Sequence, residues 1–170
     1  MNELTQVIKI AEKFQMQSHP EGGYFKETYR SEGVIKKDAL PDLFSGNRNY
    51  STAIYFLLTR GNFSAFHRIK QDELWHFYHG DPLEVHIIYP NGSYRCHEVS
   101  NNIMELATPQ LVVSAGCWFA STVKKGGNYA FVGCTVAPGF DFADFELAGC
   151  EELTALYPEH KQIIKRLTRT

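Results

Sequence analysis

The residue types able to move a proton or hold a metal gather in one short stretch. His67, Glu73, His76 and His79 all fall between residues 61 and 80, although the chain of 170 residues contains only seven histidines. An imidazole titrates near neutrality and suits general acid–base work, and a carboxylate beside it orients the ring and stabilises its charged form. Phe63–Ile69 and Glu73–Tyr78 read as a strand pair joined through Lys70-Gln71-Asp72, so His67 and Glu73 lie on the arms of a hairpin and converge across the sheet. Burying both groups is unfavourable unless they pair or face a solvated cavity. His76 and His79 are an odd number of positions apart, so in a regular strand they point to opposite faces and cannot share a metal ion.

The run Gly61-Asn62-Phe63-Ser64-Ala65-Phe66-His67-Arg68-Ile69-Lys70-Gln71-Asp72-Glu73, followed after six residues by Gly80, resembles the first motif of the cupin superfamily. Both glycines, the first His and the Glu fall in register, while Ile69 replaces the second His. Ser114-Ala115-Gly116-Cys117-Trp118-Phe119 resembles the second motif, P-x-G-x-x-H, with Gly116 retained and Phe119 where the metal-binding His stands. Three further phrases, His19-Pro20-Glu21-Gly22-Gly23-Tyr24-Phe25, Asp72-Glu73-Leu74-Trp75-His76 and residues 136–147, resemble an uncharacterised branch of the superfamily. That branch is an RmlC-like jelly roll akin to the sugar-nucleotide 3,5-epimerases. The resemblance covers residues 5 to 167 and implies an all-β double-stranded β-helix, commonly a homodimer. A mononuclear cupin site takes three His and one Glu. Two of those four, His67 and Glu73, remain here, too few for a firmly held transition metal unless a bulge in the Glu73–His76 segment re-aims His76 as a third ligand, and the expectation is no metal and no cofactor.

The leading functional expectation is a metal-independent isomerase or epimerase acting on a sugar nucleotide or similar polar metabolite. His67 is the general base, Glu73 its orienter, and Tyr55 the proton donor on the opposite face. Trp75 and Phe119 supply a flat apolar wall, Arg48 anchors a phosphate or carboxylate, and His76 and Glu21 are further ligand contacts. Two alternatives stay open. One is a non-catalytic cupin that binds a nucleotide, sugar or aromatic metabolite; the other is a metal-dependent cupin oxidoreductase or isomerase.

These groups need a scaffold to hold them. Leu4, Val7, Ile8, Ala11 and Phe14 recur at helical spacing, which predicts an amphipathic helix over Asn2–Gln17. Gly22-Gly23 marks a turn before a strand at Tyr24–Tyr29, and residues 31–49 read as a long polar surface excursion. Strands follow at Thr52–Leu58, Leu83–Tyr89 and Tyr94–Val99, the last two joined by the Asn91-Gly92 hairpin signal. More are expected at Gln110–Ser114, Cys117–Thr122, Tyr129–Ala137 and Phe142–Leu147. Short strands in close succession without βαβ alternation point to a sandwich, jelly roll or barrel, closed by a C-terminal helix after Pro158.

Composition limits the partners. Lys plus Arg is 17 and Asp plus Glu is 19, a formal charge of −2 that gives no electrostatic case for nucleic acid or an anionic membrane. No apolar run approaches a membrane span, and Lys9, Glu12 and Lys13 interrupt any secretory h-region. Cys96, Cys117, Cys134 and Cys150 form no C-x-x-C pair and read as reduced thiols of a cytoplasmic protein. The expectation is a single cupin domain over residues 1–170, a small-molecule ligand, and a homodimer whose Asn2–Gln17 helix or Tyr24–Tyr29 strand covers a neighbour's sheet edge.

Overall fold

A computed structural model describes residues 3–105 and 107–169. Helix α1 (Glu3–Lys13) leads through β1 (Gln17–Ser18) into β2 (Tyr24–Arg30), and a small ladder pairs β3 (Val34–Ile35) with β4 (Arg48–Asn49). Eight strands then follow: β5 (Thr52–Thr59), β6 (Phe63–Arg68), β7 (Asp72–Gly80), β8 (Leu83–Ile88), β9 (Tyr94–Val99), β10 (Gln110–Val113), β11 (Trp118–Val123) and β12 (Tyr129–Ala137). A 3-10 turn over Phe142–Asp144 precedes β13 (Glu146–Leu147), α2 (Cys150–Leu156) and α3 (Lys161–Arg166).

The strands form two facing antiparallel sheets, ordered β1-β2-β5-β12-β7-β10 and β13-β6-β11-β8-β9. This is the layered all-β arrangement that the resemblance implies, with short helices toward both ends. The two large sheets are not joined into a closed barrel by any ladder among the described residues. Alternation places Phe56, Leu58, Trp75, Phe77 and Val132 of one sheet against Leu83, Val85, Ile87 and Phe119 of the other, and these form the main core. On the outer face of the second sheet, Leu153, Ile164 and Leu167 of the C-terminal segment cover Phe66, Ile88 and Trp118. No helix among the described residues is long and apolar enough to cross a membrane.

Several expectations need correcting. Helix α1 stops at Lys13 because Gln15 takes a left-handed conformation (φ 51°); Asn2 lies outside the described residues. Its apolar stripe is half-buried and runs through Val7, Ile10, Ala11 and Phe14, which pack on Leu57, Tyr129 and Phe131 of the first sheet, while Ile8 is 47% exposed. Residues 31–49 are not a purely polar excursion, since Leu40, Phe44 and Arg48 are buried. The strand expected over Phe142–Leu147 is reduced to the two residues of β13, following the 3-10 turn that Asp141 caps through Ala143 N. Above all, β6 and β7 are not a hairpin. The chain crosses from one sheet to the other at Lys70-Gln71-Asp72, with Gln71 buried, so His67 and Glu73 face each other across the space between the sheets.

Candidate functional site

At one end of the sandwich the core gives way to a cavity of about 270 Å³. Its sheet walls come from Ile54, Phe56, Glu73, Cys134 and Val136 on one side and from His67 and Ile69 on the other. Two non-strand segments close it: residues 19–21, and the turn that presents Phe140, Asp141, Phe142 and Phe145.

The floor depends on a β-bulge. Opposite β11, Phe119 pairs with His67 and Ser121 with Ser64, so β6 spends three residues where its neighbour spends two. The extra residue turns Ser64 and His67 to the same inward face, although regular alternation would separate them. Both then reach one carboxylate: Ser64 Oγ donates to Glu21 Oε1 at 2.9 Å, and His67 Nε2 lies 2.9 Å from Glu21 Oε2. Glu21 is placed by a tight turn in which Gly22 has φ +114°, and a Cβ there would fall 2.1 Å from the Phe63 carbonyl oxygen. Ala65 N donates to the Glu21 carbonyl at 2.7 Å, and Arg169 Nη2 donates to the same carbonyl at 3.3 Å and to that of Phe63 at 2.8 Å.

Hydrogen-bond partners fix the protons. His67 Nδ1 lies 2.7 Å from the Ala65 carbonyl, which can only accept, so Nδ1 carries a hydrogen. Its Nε2 faces the Glu21 carboxylate and, with a second hydrogen there, the ring is an imidazolium. Burial opposes the charge on both groups. The mutual attraction and hydrogen bond outweigh it, so His67 is raised above its ordinary value and Glu21 held below the usual carboxylate value. His19 accepts from Glu21 N at 3.4 Å on Nδ1, and burial lowers its pKa, so it stays neutral beside the pair.

Glu73 differs in kind. Burial raises it to about 7; the His67 charge pulls it down and the Glu21 charge pushes it up. Its side-chain partner is the Cys134 thiol, whose own pKa burial pushes well above the ordinary value. A carboxyl group poised near neutrality on a cavity wall can take or give a proton under physiological conditions.

Of the residues singled out in the sequence, His67, Glu73 and Glu21 meet at this cavity. Phe119 packs under the His67 ring at 4.1 Å between centroids, and Trp75 lies in the core edge-on to Phe56 and Phe119. Tyr55 is elsewhere: it sits on the outer face of its sheet against Phe14, Tyr78 and Phe131, because the inward position of β5 goes to Phe56. His76 also points outward, to Thr135 and Gln110. The bulge in β7 falls between Phe77 and His79, not between Glu73 and His76, so nothing re-aims it. Arg48 is buried in a two-pronged pair with Asp144, at 2.6 Å for each bond, and holds the Phe142–Asp144 turn rather than a ligand. His19, Asp141 and the aromatic trio Phe140, Phe142 and Phe145, which lie in the phrases that carry the family resemblance, join the cavity without having been assigned a site role, as does Cys134. The signal for the trio was the spacing of aromatics in residues 136–147.

The cupin ion cage fits these residues poorly. Ile69 and Phe119 put hydrocarbon at two ligand positions, and both ring nitrogens of His67 are already engaged. No group of three His, Cys, Asp or Glu among the described residues is arranged to hold a metal ion.

Residues 8–148 match the family described as Cupin superfamily (DUF985). The chain belongs to this family. It is 31% identical over 163 residues to the uncharacterized protein YML079W of Saccharomyces cerevisiae, covering 90% of this chain and 81% of that protein. Among solved structures it is similar to protein SO0799 from Shewanella oneidensis, with a TM-score of 0.85 and 35% identity over 95% of this chain and 96% of the other. A hypothetical protein from Leishmania major is similar at TM-score 0.85 and 33% identity, covering 94% and 97%. Oxalate decarboxylase from Bacillus subtilis shares the fold alone, at TM-score 0.52 and 15% identity over 88% of this chain and 36% of that one.

Proposed function

We propose that this cupin binds a small organic molecule in the cavity and catalyses a metal-independent proton transfer on it, as an isomerase or epimerase does. The observation that carries the reading is Glu73, a carboxyl group poised at about 7 on the cavity wall beside a fixed His67–Glu21 ion pair. Glu73 is the proton carrier in this reading. The imidazolium lies close enough to its carboxyl to favour the ionised form, against the opposing charge of Glu21. His67 is thus the electrostatic partner and not the base. Its second nitrogen is held by Ala65, and Glu21 rather than Glu73 orients it. The resemblance of the sequence motifs to a branch akin to the 3,5-epimerases, whose chemistry is proton transfer at carbon, agrees with the same class. A full sugar nucleotide fits less well, because a volume of about 270 Å³ falls just below the ~300–1,000 Å³ of ligand sites.

A binding-only role is favoured by one observation: both oxygens of Glu21 and both nitrogens of His67 are already satisfied by the protein. The two readings separate in heavy water. A panel of small carbonyl compounds is screened for binding by thermal shift, and the binders are followed by proton NMR for loss of a C–H signal. Exchange in the wild type, reduced about 10²–10⁴-fold in Glu73→Gln while binding persists, supports catalysis. Binders that come back unexchanged from the wild type would establish the binding role instead. The reading also keeps a two-fold dimer, since β1 pairs with only two residues of β2 and leaves the rest of that strand edge open. A monomeric mass by light scattering at micromolar concentration removes that part.

A further inference from the structure

The cavity's charges also bear on what it can hold. Of its lining side chains, Glu21, Glu27, Glu73 and Asp141 are acidic, against Arg30 and His67 as cationic groups. The two cations are spoken for. His67 gives both ring N–H groups to Glu21 and Ala65. Arg30 donates from Nε and Nη2 to Glu27 at 3.0 and 2.8 Å, and from Nη1 to Asn49 Oδ1 at 2.9 Å and the Phe140 carbonyl at 3.1 Å. An anionic ligand therefore finds one spare guanidinium N–H and two carboxyl groups that repel it.

The acceptors are less committed. Glu73 is buried and its side-chain partner is a thiol, a weak donor. Asp141 takes a hydrogen bond from Ala143 N and keeps acceptor capacity. Around them stand faces and edges of His19, Phe25, Phe56, Phe140, Phe142 and Phe145. Ring centroids lie 4.7 Å apart for His19 and Phe25, 5.0 Å for Phe140 and Phe142, and 6.0 Å for Phe142 and Phe145. Aromatic walls with a carboxylate on one side attract an ammonium group through both its charge and its hydrogens.

We infer that the ligand is a small organic cation, a protonated amine on a flat apolar body, with its ammonium on Glu73 and its body among the phenylalanines. The inference rests on the cavity being the ligand site, as proposed above, and narrows what enters it. A phosphorylated or carboxylate substrate is disfavoured, which departs from the sugar-nucleotide expectation.

Three probes of similar shape test this by calorimetric titration at pH 8, where Glu73 is largely ionised: benzylamine, benzyl alcohol and benzoate. The expected order is benzylamine, bound about tenfold more tightly than benzyl alcohol, with benzoate weakest. Glu73→Gln removes the gap between amine and alcohol while leaving the alcohol within about twofold of its wild-type affinity. Lowering the pH of the wild type to 5.5 narrows the same gap, which keeps the test open should the variant fold poorly. Benzoate binding as well as benzylamine overturns the inference, as does a gap that survives both treatments or the failure of all three probes to bind. Proton exchange is not read here. A protein that prefers the amine but exchanges no proton loses only the catalytic reading, and one that exchanges protons on a neutral or anionic ligand loses only this one.

Discussion

Two ion pairs are buried in the molecule, Arg48 with Asp144 and His67 with Glu21, and they behave differently. Arg48 and Asp144 are bonded twice at 2.6 Å, with Gln71 donating to Asp144 at 2.7 Å and Arg48 donating to the Asn47 carbonyl at 2.7 Å. The pairing raises Arg48 further; for Asp144 burial works the other way, but the bonds from Arg48 and Gln71 hold it below the ordinary carboxylate value. Neither partner can change its charge at any physiological pH. His67 and Glu21 are equally buried, yet the imidazole can lose its proton, and Glu73 beside them titrates at about 7. The first pair is a permanent bolt on the Phe142–Asp144 turn. The second is a set of charges whose distribution depends on protons and on what enters the cavity.

The largest effect is expected at the bolt. Arg48→Ala leaves Asp144 charged and buried, with Lys70 at 3.4 Å as its remaining cation, and should lose about 3–5 kcal/mol in urea unfolding. The loss should be flat between pH 6 and 8, because the pairing holds Arg48 raised and Asp144 lowered, both away from that range. A loss below about 1 kcal/mol, or one that varies with pH, would erase the distinction drawn between the two pairs.

Glu73→Gln comes next, with the opposite sign. The folded protein holds the Glu73 proton up to about 7, against 4.5 for the free group, so its contribution to stability is complete below 4.5 and lost as pH rises through 7. At pH 8 the wild type has given up about 3 kcal/mol that the glutamine variant keeps. The variant should therefore melt higher than wild type at pH 8, with the difference shrinking toward pH 5. A difference that stays constant between pH 5 and pH 8 would place Glu73 in an ordinary solvated setting, and one that reverses would mean its pKa is lowered rather than raised.

Glu21→Gln should cost less than breaking the bolt, about 1–3 kcal/mol, since His67 can escape its unpaired charge by releasing a proton. The sign follows from His67, whose raised pKa contributes stability at low pH that is lost as pH climbs through the folded value. The penalty should thus be greater at pH 6 than at pH 8, and the His67 ring, followed by NMR, should titrate lower than in the wild type. An unchanged titration would mean that Glu21 does not set the charge on His67.

Much of the scaffold was legible in the sequence because a half-buried strand writes its own period of two. Leu83, Val85 and Ile87 point inward and His86 outward, as their alternation required. The site was less legible, for two reasons. The connection Lys70-Gln71-Asp72 has the length of a hairpin loop, and nothing in three polar residues announces that the chain changes sheets while burying Gln71 against Asp144. The bulge in β6 is equally silent, since Ser64-Ala65-Phe66-His67 carries no glycine or proline to mark an extra residue. Glu21 stood out only by its place between Pro20 and two glycines, and its partner could be known only once the bulge had turned His67 and Ser64 the same way.

The smallest effect should fall on the clamp that holds Glu21 from outside. Arg169 stacks over the Phe63 ring at 4.0 Å and donates to Asn62 Oδ1 at 3.1 Å as well as to the Glu21 and Phe63 carbonyls. It is exposed, so water replaces most of what it gives, and Arg169→Ala should lose only about 1 kcal/mol of stability. Its second consequence is more telling. The Glu21 carbonyl is held to β6 by two restraints, this guanidinium from the surface and the bond from Ala65 N inside. Loosening the outer one lets the carboxylate draw back from Nε2, so the His67 pKa should fall toward 6.5, in the direction of the Glu21→Gln shift but by a smaller amount. If His67 titrates as in wild type, the bulged strand alone positions Glu21, and Arg169 serves only to pack the surface.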